Sequence, residues 1–502
     1  MSSIRPLIER SRSLGDLAQL LTLDISSAVA SIAFTGLTAD SQALEAGDLF
    51  VALPGNHRHG AEFIDQAIAS GAVAVLTDST GATLNAGRLP EVIASSPRSQ
   101  LGEIASWFYD KPSAAMTAVG ITGTNGKTTT ASLLCQLWKL AERTVGYIGT
   151  TGIEIGADFI PARFTTPEAP ELQQIFASIS ERHLKYMAME VSSHALEQKR
   201  MIGTHFAYTA FTNLTQDHLD FHGNMENYFL AKARLFTVEY ADHAFINIDD
   251  PYGARLVDIA EVPVTTLSRN NRHATWHYTS IDQNDVGYQV AIRGTDGVLI
   301  EGFLPLIGDH NLDNALMAIA LAVATGVDPL LVARLLPELR GVRGRLEPVS
   351  LGQNFTALVD FAHTPDAVER TLATLRKSTK GKLIGVLGCG GDRDRSKRPI
   401  MGSALLAGCD IAIFTSDNPR SENADSIISE MTAGLALTET SFIDVDRRSA
   451  IALAVTLADA GDCIVLLGKG HELGQEINGV KYPFDDAAEL ARAIEELATV
   501  QR

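Results

Sequence analysis

The chain has 502 residues, 45% of them hydrophobic and 20% charged, an ordinary globular composition with length for about three domains. A net charge of −19 excludes a broad nucleic-acid footprint, which needs a basic face, but leaves local basic groups such as Arg393, Arg395, Lys397 and Arg398 free to meet small anions. The four cysteines (Cys135, Cys389, Cys409, Cys463) are widely spaced, show no metal or redox pairing, and read as reduced thiols.

Residues 1–23 break their apolar positions with Arg5, Glu9, Arg10 and Asp16, so no export signal is expected. The run 47–55 predicts a short strand closed by turn residues, followed by a helix over 61–70 and a strand over 72–76. That β–α–β order predicts a small α/β domain over residues 1–96. A second domain, 97–342, opens with an amphipathic stretch at 101–109 and Pro112. An apolar strand at 116–119 then leads through the glycine-rich turn Gly120-Ile121-Thr122-Gly123-Thr124-Asn125-Gly126-Lys127-Thr128-Thr129 into a helix-like run at 130–140.

Such a turn leaves backbone N–H groups free at a helix N-terminus, where they and the helix dipole bind phosphate. Lys127 reaches the outer phosphates and the Thr128 hydroxyl can take a magnesium ion. Ile121 occupies the position of the usual first glycine, so the loop is a variant of the common phosphate loop. Further strands at 186–191, 208–213 and 243–248 alternate with helical stretches, which predicts a parallel sheet covered on both faces. The run 315–324 is too short to span a bilayer and predicts a buried helix.

The stretch Gly341-Val342-Arg343-Gly344-Arg345 predicts a break, and strands at 356–361, 382–388, 411–415 and 463–467 place a second doubly wound α/β domain over 343–502. Its turn Gly388-Cys389-Gly390-Gly391 invites a dinucleotide reading, but Arg393 stands at the third glycine position and the fingerprint fails.

Glu190 ends a strand in Met189-Glu190-Val191-Ser192-Ser193-His194, at the edge where parallel sheets bind ligands. By itself an acid there is more often solvated or capping than ligating. His218 and His222 are four apart, the spacing of a helical zinc pair, yet no glutamate stands in the zinc-protease position.

Across nearly its whole length the chain resembles the Mur ligase family. The resemblance is carried by Asp40-Ser41, Gly47-Asp48-Leu49-Phe50-Val51-Ala52, Gly123-Thr124-Asn125-Gly126-Lys127-Thr128, Thr165-Thr166-Pro167 and Glu190-Val191-Ser192-Ser193-His194. It continues through residues 213–220, His310-Asn311-Leu312-Asp313-Asn314-Ala315, Gly344-Arg345 and Asp360-Phe361-Ala362-His363-Thr364-Pro365-Asp366. Gly391-Asp392-Arg393-Asp394, Asp417-Asn418-Pro419-Arg420 and Gly468-Lys469-Gly470-His471-Glu472 complete the set, in order.

The resemblance implies three domains: an N-terminal uridine-binding domain, a central ATPase domain and a Rossmann-like C-terminal domain for the incoming amino acid. It implies Lys127, Glu190, His218 and Lys232 as catalytic residues, with Lys232 carried as its carbamate. Gly123, Thr124, Asn125, Gly126, Lys127, Thr128, Thr129, Asn311, Asn314, Arg345 and Asp360 match ATP positions. Two magnesium ions would use Thr128, Glu190, His218 and the Lys232 carbamate. Ser41 and the turn Asn56-His57-Arg58 match the uridine end, although that turn and Gln42 depart from the usual family sequence. Thr165, Thr166, Ser192, Gln198 and Arg200 match the muramoyl-dipeptide positions.

Arg393, Asp417, Asn418, Pro419, Arg420, Gly468 and Glu472 match the acceptor pocket. The expected reaction is ATP-driven ligation of meso-diaminopimelate to UDP-MurNAc-L-Ala-D-Glu, by a cytoplasmic monomer with no nucleic-acid partner and no membrane insertion. L-lysine as acceptor, folylpolyglutamate synthesis and a nucleotide switch are the alternatives.

Overall fold

The computed structural model describes residues 5–55, 58–162, 164–284 and 287–500. Three α/β units follow one another, each built on its own main sheet. The first holds a four-stranded parallel sheet in the order Gly36–Thr38, Asp48–Val51, Ala74–Thr77, Glu91–Ile93. Its middle strands are buried on both faces, as the apolar runs predict. Its outer strands span three residues each, too few for a pattern to show. The helix Pro97–Phe108, assigned from sequence to the second segment, buries Leu101, Ile104, Ala105 and Phe108 in this first core and against Ala169 and Ala177.

The central sheet has eleven strands and runs parallel from Val145–Gly149 through Tyr186–Glu190, Thr117–Thr122, Tyr208–Phe211, Ala244–Asn247 and Val264–Ser268 to Trp276–Asn284. Antiparallel strands extend both ends, Gly152–Ile155 and Asp158–Ile160 at one and Gly287–Arg293 and Leu299–Leu304 at the other. The chain builds outward from Thr117–Thr122 on one side, then crosses to Tyr208–Phe211 on the other. That reversal opens a crevice at the C-terminal end of Thr117–Thr122, where open α/β sheets bind ligands.

The strand Thr117–Thr122 extends past the predicted 116–119 because Gly120 continues it. A Cβ at Gly120 would lie 3.0 Å from the Phe206 ring, so a larger residue would push the core apart. Helix Lys127–Leu140 packs Leu133, Leu134, Leu137 and Trp138 against Ala315, Leu316, Ile319 and Ala320 of helix Asp309–Ala324, the buried helix expected at 315–324. The alanines both favour helix and let the two axes approach. Trp138 donates its indole N–H to Thr325 Oγ1 at 2.8 Å, satisfying the one polar atom this side chain buries.

The C-terminal sheet runs Glu347–Pro348, Thr356–Asp360, Cys463–Leu467, Leu383–Leu387, Ile411–Phe414, Ser441–Ile443, parallel except for its first strand. Arg447 and Asp486, both fully buried, form a two-pronged ion pair at 2.8 and 2.6 Å. Arg447 also donates to the carbonyls of Leu467 and Ser416, so it anchors the ends of two strands. Removing one partner of such a pair costs about 3–5 kcal/mol, because the other charge stays buried. Among the described residues no helix is long and apolar enough to cross a membrane.

Candidate active site

The glycine-rich loop stands at the head of helix Lys127–Leu140 as the sequence predicts. Its conformation is set from the neighbouring strand end: Thr124 N–H donates to Asn213 O, Asn125 N–H to Asn213 Oδ1, and Thr212 Oγ1 to Asn125 O. Gly126 has φ +86°, and a Cβ there would sit 2.3 Å from Asn314 Oδ1. Both backbone strain and space therefore demand glycine. Thr129 is buried in the helix's first turn.

Glu190 is fully buried at the end of the adjacent strand. Its carboxylate accepts from Thr128 Oγ1 at 3.0 Å, Tyr147 Oη at 2.7 Å, Thr150 N–H at 2.9 Å and Thr150 Oγ1 at 3.1 Å. Burial, with Glu190 beside it, drives the Tyr147 phenol well above its ordinary value and keeps it a donor. Thr128 and Glu190 thus bring hard oxygens together at the phosphate loop. Among the described residues no group of three or more His, Cys, Asp or Glu gathers to hold a metal. That donor set fits magnesium, which keeps few protein ligands and takes the rest from substrate phosphates and water.

Lys127 folds back over the loop and donates to the carbonyls of Gly123 at 2.9 Å and Thr124 at 2.8 Å. Desolvation lowers its pKa, opposed by Glu190 and reinforced by Arg345. Lys232 approaches from helix Met225–Ala233, donates to the same Gly123 carbonyl at 2.8 Å, and lies over the Tyr228 ring. Burial and then Lys127 push Lys232 well below the ordinary lysine value.

His218, at φ +53°, sets Nε2 3.3 Å from Asp217 Oδ2 and packs edge-on to His194. Desolvation holds its imidazole neutral, down to about 3, while Asp217 pulls the other way. His222 spends Nε2 on Ser193 Oγ at 3.0 Å and stacks on Tyr228, so the pair spacing does not make a zinc site.

A cavity of about 450 Å³ lies between the central and C-terminal units, bordered by Asn125, Gly126, Thr129, Asn314, Arg345 and Asp360 among others. Asn311 donates to Ile307 O and accepts from Asn314 Nδ2, while Asn314 Oδ1 accepts from Thr130 Oγ1. Asn311 is thus buried in the helix joint behind the cavity wall that Asn314 helps to form. Arg345 crosses from the linker to place Nη2 3.4 Å from Thr128 Oγ1, with its guanidinium over the Phe361 ring. Its Nε is buried without a hydrogen-bond partner among the described residues. Asp360 supports this linker by accepting from Leu346 N–H at 2.8 Å. Asn125 Nδ2 donates to Asp366 Oδ2 at 3.4 Å and Lys377 to Asp309 at 2.9 Å, so the C-terminal unit closes over the loop at several points.

Of the residues matched to the UDP-linked substrate, Asn56 and His57 lie outside the described residues. Ser41 donates to Gln66 Oε1 at 3.2 Å, and Arg58 pairs with Glu62 over the Phe63 ring. Thr166 ties the Glu190 strand end by donating to Glu190 O and accepting from Ser192 N–H; Thr165 shares a hydroxyl contact with Thr150. Ser192 caps the following short helix, and Arg200 donates to Thr166 O and Gln198 Oε1. The residues matched to the dipeptide are therefore contiguous with Glu190, and the uridine pair stands apart on the first domain.

On the C-terminal unit, Asn418 Nδ2 donates to Glu472 Oε2 at 2.7 Å and Arg420 Nη1 to Gly391 O at 2.6 Å. Arg393 and Arg420 flank Gly390. Asp417 is buried beneath Gly468, and desolvation raises its pKa. Pro419 O lies against Gly391, which joins the two loops. The basic cluster expected to meet anions is divided. Arg395 and Arg398 are consumed by Glu422 and Glu430, and Lys397 reaches Asp217 at 3.8 Å.

Sequence reasoning missed Tyr147, Thr150, Asp217 and Lys469. Lys469, fully buried, donates to Asn418 Oδ1, Glu472 Oε2 and Gly474 O. Its position between Gly468 and Glu472, inside a motif that carries the family resemblance, was the available signal.

The sequence profile of the Mur ligase middle domain matches residues 121–322. That of the Mur ligase glutamate ligase domain matches 344–470, and that of the Mur ligase family catalytic domain matches 33–109. The UDP-N-acetylmuramoyl-L-alanyl-D-glutamate–2,6-diaminopimelate ligase of Streptomyces coelicolor is 44% identical over 497 residues, covering 98% of each chain. The ligase of the same name from Corynebacterium glutamicum is 41% identical, covering 93% of each. A solved structure of a ligase of that name superposes with a TM-score of 0.68 at 32% identity, over 97% of this chain and 99% of that one. A Mycobacterium tuberculosis folylpolyglutamate synthase complexed with ADP, TM-score 0.62 and 19% identical over 74% of this chain and 92% of its own, shares the fold. With that coverage and identity, the chain belongs to the Mur ligase family.

Proposed function

We propose that this chain is an ATP-dependent carboxylate–amine ligase that joins meso-diaminopimelate to UDP-MurNAc-L-Ala-D-Glu, releasing ADP and phosphate, in cytoplasmic peptidoglycan precursor synthesis. The observation that carries the reading is the contact of Arg345 with Thr128, which seats the C-terminal unit against the phosphate loop of a chain 44% identical to a ligase so named. The γ-phosphoryl group passes to the D-glutamate side-chain carboxylate, giving an acyl phosphate. The acceptor amine then attacks the carbonyl carbon, and phosphate leaves from the tetrahedral intermediate as the amine proton departs.

Two anions must meet, so the chain's work is charge neutralisation and alignment. Loop N–H groups and Lys127 hold the triphosphate, with Arg345 arriving on closure. Thr165, Thr166, Ser192, Gln198 and Arg200 align the dipeptide beside Glu190, and Ser41 with residues 56–58 holds the uridine end. Arg420 and Arg393 take the distal carboxylate of the acceptor, and Asn418, Glu472 and the Gly468 backbone its distal ammonium. Closure excludes water from an acyl phosphate that water would hydrolyse.

Thr128, Glu190, His218 and a carbamylated Lys232 would hold two magnesium ions, which when bound neutralise charge on the phosphates. Lysine amine and carbon dioxide combine to a carbamate with release of one proton. The lowered pKa of Lys232 supports this, because only the neutral amine attacks carbon dioxide. Among the described residues no carboxylate lies within ion-pair distance of Lys232, so a positive charge there is met by the Gly123 carbonyl and the Tyr228 ring and not by an anion. The test is phosphate release from ATP measured with each substrate omitted in turn. Release that requires both the UDP-dipeptide and diaminopimelate supports the reading; release with ATP alone, or with a folate and glutamate instead, contradicts it.

A further inference from the structure

Two loops leave the C-terminal ends of strands Leu383–Leu387 and Ile411–Phe414, one carrying Arg393 and the other Asn418 and Arg420. Each holds a non-glycine residue in the left-handed region, Asp392 at φ +52° and Arg420 at φ +53°. Such backbone persists where its surroundings over-determine it. Here the loops interlock. Gly391 N–H donates to Asn418 O at 2.9 Å, and Ser421 donates through N–H at 3.1 Å and Oγ at 2.6 Å to the Asp392 carboxylate. Asp392 N–H donates to Glu422 Oε1 at 2.6 Å.

Beneath them lies Arg398, 1% exposed. Its guanidinium donates to both Glu422 oxygens at 2.7 and 2.9 Å, to Glu430 Oε2 at 2.7 Å, and to Gly390 O at 3.2 Å. One side chain therefore touches the loop of Arg393 through Gly390 and the loop of Arg420 through Glu422.

We propose that Arg398 and Glu422 are positioning residues that set the two acceptor loops in register and so fix where Arg393 and Arg420 present their donors. Arg420 spends Nη1 on Gly391 O, so a shift of the 390–392 turn moves its remaining donors by the same amount. An ion pair with a buried guanidinium is a poor way to gain stability but a good way to hold one geometry, because leaving the Arg398 charge unpaired is costly. The planar guanidinium fork suits this task better than lysine, since it binds Glu422 with two donors and keeps others for Glu430 and Gly390. The assignment rests on reading Arg420 and Arg393 as carboxylate binders.

The test compares phosphate-release kinetics of wild type, Arg398→Lys, Glu422→Gln and the double variant, varying each substrate in turn and recording each melting temperature. Both single variants should raise the KM for diaminopimelate about tenfold or more while the KM for ATP and for the UDP-dipeptide stays within about threefold, the pattern of lost acceptor alignment. The double variant should be no worse than the worse single variant, as for two groups acting as a unit. Glu422→Gln keeps an acceptor for Asp392 N–H, so it decides the matter if Arg398→Lys does not fold. An unchanged KM for diaminopimelate, or parallel rises in all three KM values with a lowered melting temperature, overturns the proposal. If wild type releases phosphate without needing diaminopimelate, the functional reading itself fails, an outcome visible before any variant is made.

Discussion

Two lysines converge on the carbonyl of Gly123, and each is pushed toward its neutral form. Bound triphosphate would supply an anion to Lys127. Lys127→Ala is expected to lower kcat by about 10²-fold or more, the range for removing a preorganised transition-state donor. Saturating ATP should not restore it. If turnover is normal at saturation, Lys127 only binds nucleotide. Lys232→Ala should abolish turnover while UDP-dipeptide binding, measured by calorimetry, persists, and added acetate or formate should restore part of the rate. A fully active Lys232→Ala enzyme rules out the carbamate.

At this scale the loop residues were legible because glycine, lysine and threonine have local reasons for their order. Tyr147 and Thr150 were not, since only the parallel register of Val145–Gly149 beside Tyr186–Glu190 carries them to Glu190. Nor was the fate of Arg395 and Arg398, which depends on acids that approach from residues 422 and 430.

Helix Lys127–Leu140 links the phosphate loop to the central core through its contact with Asp309–Ala324. Gly126→Ala tests the joint. The new Cβ would strike Asn314 Oδ1 in a backbone conformation that disfavours it, so a stability loss of about 1–3 kcal/mol is expected from strain and overpacking. ATP affinity should fall with it, and a variant that melts and binds like wild type would show that the loop has room. Leu134→Ala, in the same helix but facing the core, should cost about 2–5 kcal/mol with little change in nucleotide affinity per folded molecule.

The buried parallel strands were legible as apolar runs. Their ends differ by a residue or two because a strand's limits follow its backbone pairing, while apolarity spills into the loops. The antiparallel extension from Trp276 to Leu304 was not legible. Its strand Trp276–Asn284 goes from buried to exposed along its length and carries polar residues that mimic a loop.

Over the whole molecule, closure is visible as contacts between units: Arg345 with Thr128, Asn125 with Asp366, and Lys397 with Asp217. The three-unit plan was legible from repeated strand–helix order, whereas these contacts join residues hundreds apart and had no sequence signal. Burial near this junction also gives the molecule an acid-sensitive stability. Burial, aided by nearby His194 and Lys232 at His222 and by Lys397 at His363, pushes both imidazoles from 6.5 down to about 4. Between those values the unfolded chain takes up protons that the folded chain refuses. Their contribution is therefore full above about pH 6.5 and is lost as pH falls toward 4.

Burial raises Asp313 to about 7, which acts oppositely by favouring the folded state on the acid side. The apo melting temperature should fall as pH drops through this window, and more steeply in Asp313→Asn. A flat profile in both proteins would contradict the linkage.

The acceptor panel in the phosphate-release assay bears most directly on what the enzyme does. Lysine lacks the second carboxylate, and would leave Arg420 with the Gly391 carbonyl and the more distant Glu476 carboxylate, 3.6 Å from its Nε, in place of the acceptor's own anion. The expected result is efficient release with meso-diaminopimelate, a preference over L-lysine of about 10⁴-fold or more in kcat/KM, and a marked narrowing of that gap in Arg420→Ala. Equal efficiency with L-lysine in the wild-type enzyme would contradict the assignment of the acceptor pocket.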